Sequence, residues 1–195
     1  MKKVALILVS VFTLISFTNT SEAIVELRAG YGLLTSDPDD VNSVEIKALT
    51  GFHADAVVSL PLFPLGFGVR YESLGMKNDA NVGAINTEVD IDYERISLIV
   101  NKSLLSLVVV NIGLIGTIGI SESLESDVTL NGVSQGKSTF DDGMTFTVGA
   151  EASAGLGLFS VGAEVGYQLG ELETSGGSKF KTDGPYLKAM VGFGF

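Results

Sequence analysis

Residues 184–195 read GPYLKAMVGFGF, and the alternation within them decides the fold. Leu187, Ala189, Val191, Phe193 and Phe195 recur at every second position. Tyr186, Lys188, Met190, Gly192 and Gly194 lie between them. A period of two puts an apolar face and a small-or-polar face on one extended strand, because successive side chains point to opposite sides. An unpaired terminal strand frays, so a bare aromatic stop is unusual for a soluble sheet.

The same pattern repeats upstream. Residues 25–34 set Val25, Leu27, Ala29, Tyr31 and Leu33 against Glu26, Arg28, Gly30 and Gly32. In residues 44–60, Phe52, Ala54, Ala56, Val58 and Leu60 oppose Lys47, His53, Asp55 and Ser59. Pro61 and Pro64 bracket a turn, after which Leu65, Phe67, Val69 and Tyr71 oppose Gly66, Gly68, Arg70 and Glu72. Residues 87–100 alternate Val89, Ile91 and Tyr93 with charged residues until the pattern slips near Arg95. A β-bulge there, exchanging the two faces, is expected. Residues 107–121 are apolar on both sides, with Val108, Val110, Ile112, Leu114, Ile118 and Ile120 as the expected outward set. Residues 144–154 and 161–170 complete the series. The count is eight strands. Long polar loops (residues 35–43, 76–86, 122–143 and 171–183) alternate strictly with short turns (61–64, 101–106 and 155–159). That wiring predicts an all-β, eight-stranded antiparallel up-and-down transmembrane β-barrel.

Composition agrees once the period is considered. The chain is 46% hydrophobic over 195 residues, yet it carries 24 glycines, each of which would cost a helix roughly 1 kcal/mol relative to Ala. Lys2 and Lys3, the apolar run 4–17 and Ser21-Glu22-Ala23 match a secretory signal peptide cut after Ala23. The expected domains are therefore a signal peptide, 1–23, and a barrel, 24–195. No Cys follows the apolar run, which argues against a lipoprotein anchor, a disulfide framework and thiolate metal sites. A net charge of −11 argues against nucleic acid as a partner, since phosphate binding needs a basic surface.

The two faces differ in chemistry. A water-soluble barrel turns its apolar face inward around a ligand. Here the other face mixes charges with glycine, which suits a narrow interior, and eight strands leave one just wide enough for side chains to fill. Tyr31, Tyr71, Tyr93 and Tyr167 fall toward the loop end of the expected outer face. Phe67, Phe159, Phe193 and Phe195 fall toward the turn end with Phe63. Two aromatic belts are expected at membrane interfaces.

With the terminal Phe, the alternation and the loop order in hand, the chain resembles the small eight-stranded bacterial outer-membrane β-barrel family, of the kind of the OmpA transmembrane domain, OmpX and OmpW. The resemblance implies a multi-pass protein of the Gram-negative outer membrane, with loops outside and both mature termini periplasmic. It implies contact with outer-membrane lipid and lipopolysaccharide, insertion by the barrel-assembly machinery and a monomeric state. Val191, Phe193 and Phe195 would form the assembly signal. The chain departs from full-length OmpA in showing no periplasmic peptidoglycan-binding segment.

Arg28, Asp55, Arg70, Glu72, Glu151, Glu164 and Lys188 share the expected inner face, where unpaired charge is costly and pairing is expected. One pairing considered is Arg70 with Glu151. These residues form either an ion-paired plug or a gate. The first reading is a structural or surface-interaction barrel. The alternative is a narrow pore for ions or small hydrophobic molecules, and a lipid-modifying enzyme stands third. His53 is the one histidine, and with Asp55 it lacks an identified nucleophile, so no catalytic residue is expected. Asp37, Asp39, Asp40, Asp141 and Asp142 lack the fixed spacing of an EF-hand calcium loop, and no metal or cofactor is expected.

Overall fold

The computed structural model describes residues 24–35, 48–60, 65–82, 85–107 and 109–195. Among the described residues there are ten strands: β1 (Ile24–Leu34), β2 (Leu49–Ser59), β3 (Leu65–Val82), β4 (Ile85–Ser106), β5 (Val110–Leu130), β6 (Val133–Phe140), β7 (Asp142–Leu156), β8 (Phe159–Glu173), β9 (Lys179–Lys181) and β10 (Gly184–Gly194). Neighbours pair antiparallel in the order β1, β2, β3, β4, β5, β7, β8, β10, and β10 returns to β1. This closes an eight-stranded ring, so the barrel wall has no free edge at this level. β6 and β9 lie off the ring, paired to β5 and β8. The closing seam joins the first and last strands of the ring, with Val25 and Phe195 exchanging two backbone hydrogen bonds at 3.0 and 2.9 Å.

Side chains alternate as the pattern demands. Leu27, Tyr31, Phe52, Phe67, Leu98, Ile112, Leu114, Val148, Val165, Tyr167, Leu187 and Val191 are exposed on the outer face. His53, Asp55, Arg70, Glu72, Glu164 and Lys188 are buried within. Ile112, Leu114, Ile118 and Ile120 are exposed as expected, whereas Val108 lies outside the described residues, as do Phe63, residues 1–23, where a signal peptide is expected, and residues 44–47.

Three expectations need correction. The first concerns the loops. The stretch 76–86 is largely hairpin, because β3 and β4 stay paired up to Val82↔Ile85. Within 122–143, β5 continues to Leu130 and turns through Asn131 (φ 50°) and Gly132 (φ 79°) into β6. Two successive positive φ values make the two-residue turn that matches strand twist, and Asn-Gly is its favoured sequence. Within 171–183, β9 pairs Glu171↔Lys181. β4 spans 22 residues, about 70 Å at roughly 3.3 Å per residue, whereas a membrane crossing needs about 9–11. The sheet therefore projects well beyond a bilayer's apolar thickness at the loop end.

The second concerns Tyr93, which is fully buried inside rather than in an outer belt. The third is the bulge. Ile91, Tyr93, Arg95, Ser97, Ile99 and Asn101 stay on the inner face, so β4 keeps its register through Arg95. The irregularity is on the facing strand, where Ile96↔Ser121 is followed by Ser97↔Gly119 and Ile120 is the extra residue. The apparent slip at Arg95 is a change in surroundings: above it the exterior is polar and the interior apolar.

Candidate functional site

The barrel interior is layered. At mid-height, cross-strand neighbours carry opposite charges: Asp55 on β2 faces Arg70 on β3, Glu72 on β3 faces Arg95 on β4, and Glu164 on β8 faces Lys188 on β10. The closed ring brings these pairs together. Arg70 donates from Nε and Nη2 to the two Asp55 oxygens, both at 2.8 Å. Across the lumen it donates from Nη1 and Nη2 to Glu164, at 3.0 and 2.7 Å. All three side chains are wholly shielded from solvent. Such two-pronged contacts use the planar guanidinium fork in a way a lysine could not.

Lys188 donates to Glu72 at 2.6 Å and stands 4.0 Å from Glu164. Arg95 donates to Glu72 at 3.1 Å and to Thr117 Oγ1 at 2.9 Å, and Thr117 and Thr147 share a hydrogen bond at 2.7 Å. Three carboxylates thus meet three cations in one buried layer. The Tyr186 ring lies under the Lys188 ammonium, 4.6 Å from its centroid. Gly149 and Gly166 leave room for its hydroxyl, since a Cβ on either would lie 2.5 or 2.6 Å from that oxygen.

Toward the turn end, Arg28 donates to Glu151 at 2.9 Å and to Glu26 at 2.6 Å. Asn101 donates to the other Glu151 oxygen at 3.1 Å, and Ser160 donates to Glu26 at 2.8 Å. Glu151 is therefore the partner of Arg28, and the pairing with Arg70 is not formed. Val57, Ile99 and Ile115 form a small apolar cluster in the same interior.

Toward the loop end the interior becomes apolar. Leu34, Leu49, Leu74, Met76, Ile91, Tyr93, Leu124, Phe140, Leu172, Phe180 and Tyr186 form one buried cluster. Outside it, Lys77, Asp79, Asp92, Glu94 and Lys137 face solvent. Lys77, Lys137 and Lys179 titrate above the ordinary lysine range, held there first by hydrogen bonds to Glu88, Glu125 and Glu171.

His53 is buried, and neither ring nitrogen has a hydrogen-bond partner among the described residues. Both Asp55 oxygens are held by Arg70, so the His-Asp pairing needed to orient a general base is not made. Asp141 and Asp142 are exposed at the start of β7, and Asp37, Asp39 and Asp40 lie outside the described residues. Val191, Phe193 and Phe195 are exposed on the outer face, with Phe159, Phe193 and Phe195 forming a chain of ring contacts at 5.4 and 5.9 Å.

Arg95 and Glu122 are the interior charges that the sequence reading did not single out. Arg95 sat at the supposed slip and Glu122 in a supposed loop. Unbroken alternation through Tyr93, Arg95, Ser97 and Ile99 is the signal that would have found Arg95, whereas the extra residue Ile120 breaks the alternation that leads to Glu122.

No protein-family model matches the chain, and no curated protein matches it. Solved structures match its fold. The attachment invasion locus protein Ail of Yersinia pestis aligns over 89% of this chain and 99% of its own, at 13% identity and a TM-score of 0.58. Ail in complex with the heparin analogue sucrose octasulfate aligns over the same shares, with a TM-score of 0.59. A major outer membrane protein of Thermus thermophilus aligns over 88% and 99%, at 12% identity and a TM-score of 0.51. OprG of Pseudomonas aeruginosa aligns over 89% and 96%, at 10% identity and a TM-score of 0.51. This chain has the fold of the small eight-stranded outer-membrane barrels.

Proposed function

We propose that this chain is an integral outer-membrane barrel whose interior is sealed against ions and whose contacts with other molecules are made at the loop end. The observation that carries the reading is Arg70, clamped between Asp55 and Glu164 with no solvent exposure on any of the three side chains. Opening an axial path would strip a buried cation from two carboxylates, and breaking such a pair costs several kcal/mol, about 3–5. The apolar exterior meets lipid and lipopolysaccharide. The loop end faces outward and both termini face the periplasm, after insertion by the barrel-assembly machinery acting through the strand of Val191, Phe193 and Phe195.

The long β3–β4 and β5–β6 hairpins support a surface role, since they carry ordered sheet beyond the apolar belt. Ail forms a complex with the heparin analogue sucrose octasulfate, a polyanion. This chain's projecting sheet instead presents Asp79, Asp90, Asp92, Glu94, Glu125 and Asp127, a surface that repels polyanions and suits neutral or cationic partners. Planar-bilayer recording tests the sealed interior. The parent should show no steady ionic current, whereas Arg70→Ala should admit intermittent current. Sustained conductance by the parent would instead establish the narrow-pore reading.

A further inference from the structure

On its outer face β3 leaves the apolar belt at Tyr71 and continues outward through Ser73 and Gly75. The register sets what stands on either side. Tyr31, Phe52, Ser73 and Glu94 face one another in turn across β1, β2, β3 and β4. One step further out the row is Thr50, Gly75 and Asp92. β3 therefore contributes the smallest side chains where its neighbours carry a ring and two carboxylates. A shallow trough runs along β3, with Ser73 and Gly75 as its floor.

The two walls differ in chemistry. On the β2 side Phe52 and Tyr31 are exposed. The Phe52 ring meets the Tyr71 ring at the base of the trough, with centroids 5.8 Å apart and planes tilted by 51°. On the β4 side stand Glu94 and Asp92, both exposed. Glu94 accepts from the Tyr71 hydroxyl at 3.2 Å. A Cβ on Gly75 would lie 3.3 Å from an Asp92 oxygen, so that carboxylate reaches over the floor. Among the described residues neither carboxylate has a salt bridge, and Lys77, the next outward-facing residue of β3, is engaged by Glu88 and Asp90.

Strands separated by one neighbour lie about 10 Å apart. A cation seated between these walls touches carboxylate on one side and comes within the roughly 6 Å of an aromatic ring at which cation–π attraction acts. An ammonium group meets both demands, whereas a phosphate or sulfate would face two carboxylates. The trough also opens downward onto the apolar belt, with Ala56, Val69 and Leu98 in one row below Tyr71. From this arrangement we infer that the trough binds the ammonium headgroup of a membrane lipid, whose acyl chains run down the belt over Val69 and Leu98. The inference rests on the membrane setting proposed above and names a partner for its outer flank.

The barrel is reconstituted in vesicles of equal phosphatidylethanolamine and phosphatidylglycerol, then extracted in mild detergent, and native mass spectrometry counts the lipid it retains. The parent should retain the ethanolamine lipid over the glycerol lipid by about fivefold, the scale of one exposed cation–π contact. Glu94→Gln and Phe52→Leu should each move the ratio toward parity. Ser73→Lys, which fills the trough with an ammonium of the chain's own, should bring it to parity with both walls intact. Equal retention by the parent overturns the site, as does a preference that survives Ser73→Lys. Should that variant not fold, an undiminished preference in Glu94→Gln overturns it equally. Free ethanolamine in excess should leave the retained lipid in place, and displacement would overturn the lipid assignment in favour of a soluble amine. Vesicle flotation is scored separately. Protein that does not float sinks the membrane reading itself, whereas floating protein without a headgroup preference sinks only the trough.

Discussion

The lower and upper parts of this barrel are continuous along the β3–β4 ladder but are inverted in polarity. In the lower part Arg70, Glu164 and Lys188 are inside, and Val148, Val165 and Leu187 are outside. In the upper part, on the same β4, Ile91 and Tyr93 are inside and Asp92 and Glu94 are outside. The inversion teaches that period-two patterning records which faces differ, while the solvent on each side decides which face is apolar. Against lipid, charge must go inward. Against water, the ordinary soluble arrangement returns, and the projecting hairpins carry a hydrophobic core of their own.

The comparison can be broken most severely at Arg70. Arg70→Met should cost about 3–5 kcal/mol, because Asp55 and Glu164 remain buried without their shared cation. Unfolding in urea from lipid vesicles measures it, and a loss below about 1 kcal/mol would mean that water already solvates the layer. In the upper region the equivalent wound is apolar. Leu124→Ala should cost about 3 kcal/mol through lost burial and the cavity left behind. Its effect should show first in amide exchange of β5 and β6, with the lower ring still protected.

The two exteriors can be compared by placing one residue in each. Ala152→Arg puts a cation into the apolar belt and should cost about 2–4 kcal/mol near its midplane. Asp92→Arg on the projecting sheet should fall within about 0.5 kcal/mol of the parent. Equal effects would remove the inversion. The turn-end pair offers a finer measure. A double-mutant cycle on Arg28→Met and Glu151→Gln should show coupling of about 1 kcal/mol, and the same cycle on Arg70 with Glu151 should show much less.

The smallest effect lies in the acidic rows outside. Asp90 faces Asp127 and Asp92 faces Glu125 directly across β4 and β5. Like charges in that position repel, and Asp92 has only Gly75 on its other side, so Asp92→Asn should stabilise the hairpin by a few tenths of a kcal/mol, about 0.2–0.5. The gain should vanish at 1 M salt, where the screening length falls to about 3 Å.

Strand number, strand direction and the inner placement of Asp55, Arg70, Glu72, Glu164 and Lys188 were legible in the sequence. Each follows from alternation interrupted by turns, and alternation is a local property of the chain. The Asn131-Gly132 hairpin was equally local but was hidden, because polar residues on a solvent-facing sheet resemble loop composition. Tertiary structure decided the rest. Arg28 rather than Arg70 meets Glu151 because the stagger of eight closed strands sets which heights align. Tyr93 turns inward because the barrel outlasts the membrane, and Glu122 accepts from Tyr93 and Thr145 because the closed ring sets β5 between β4 and β7. No local pattern encodes those outcomes, since each depends on what a distant strand, or the solvent beyond it, places opposite.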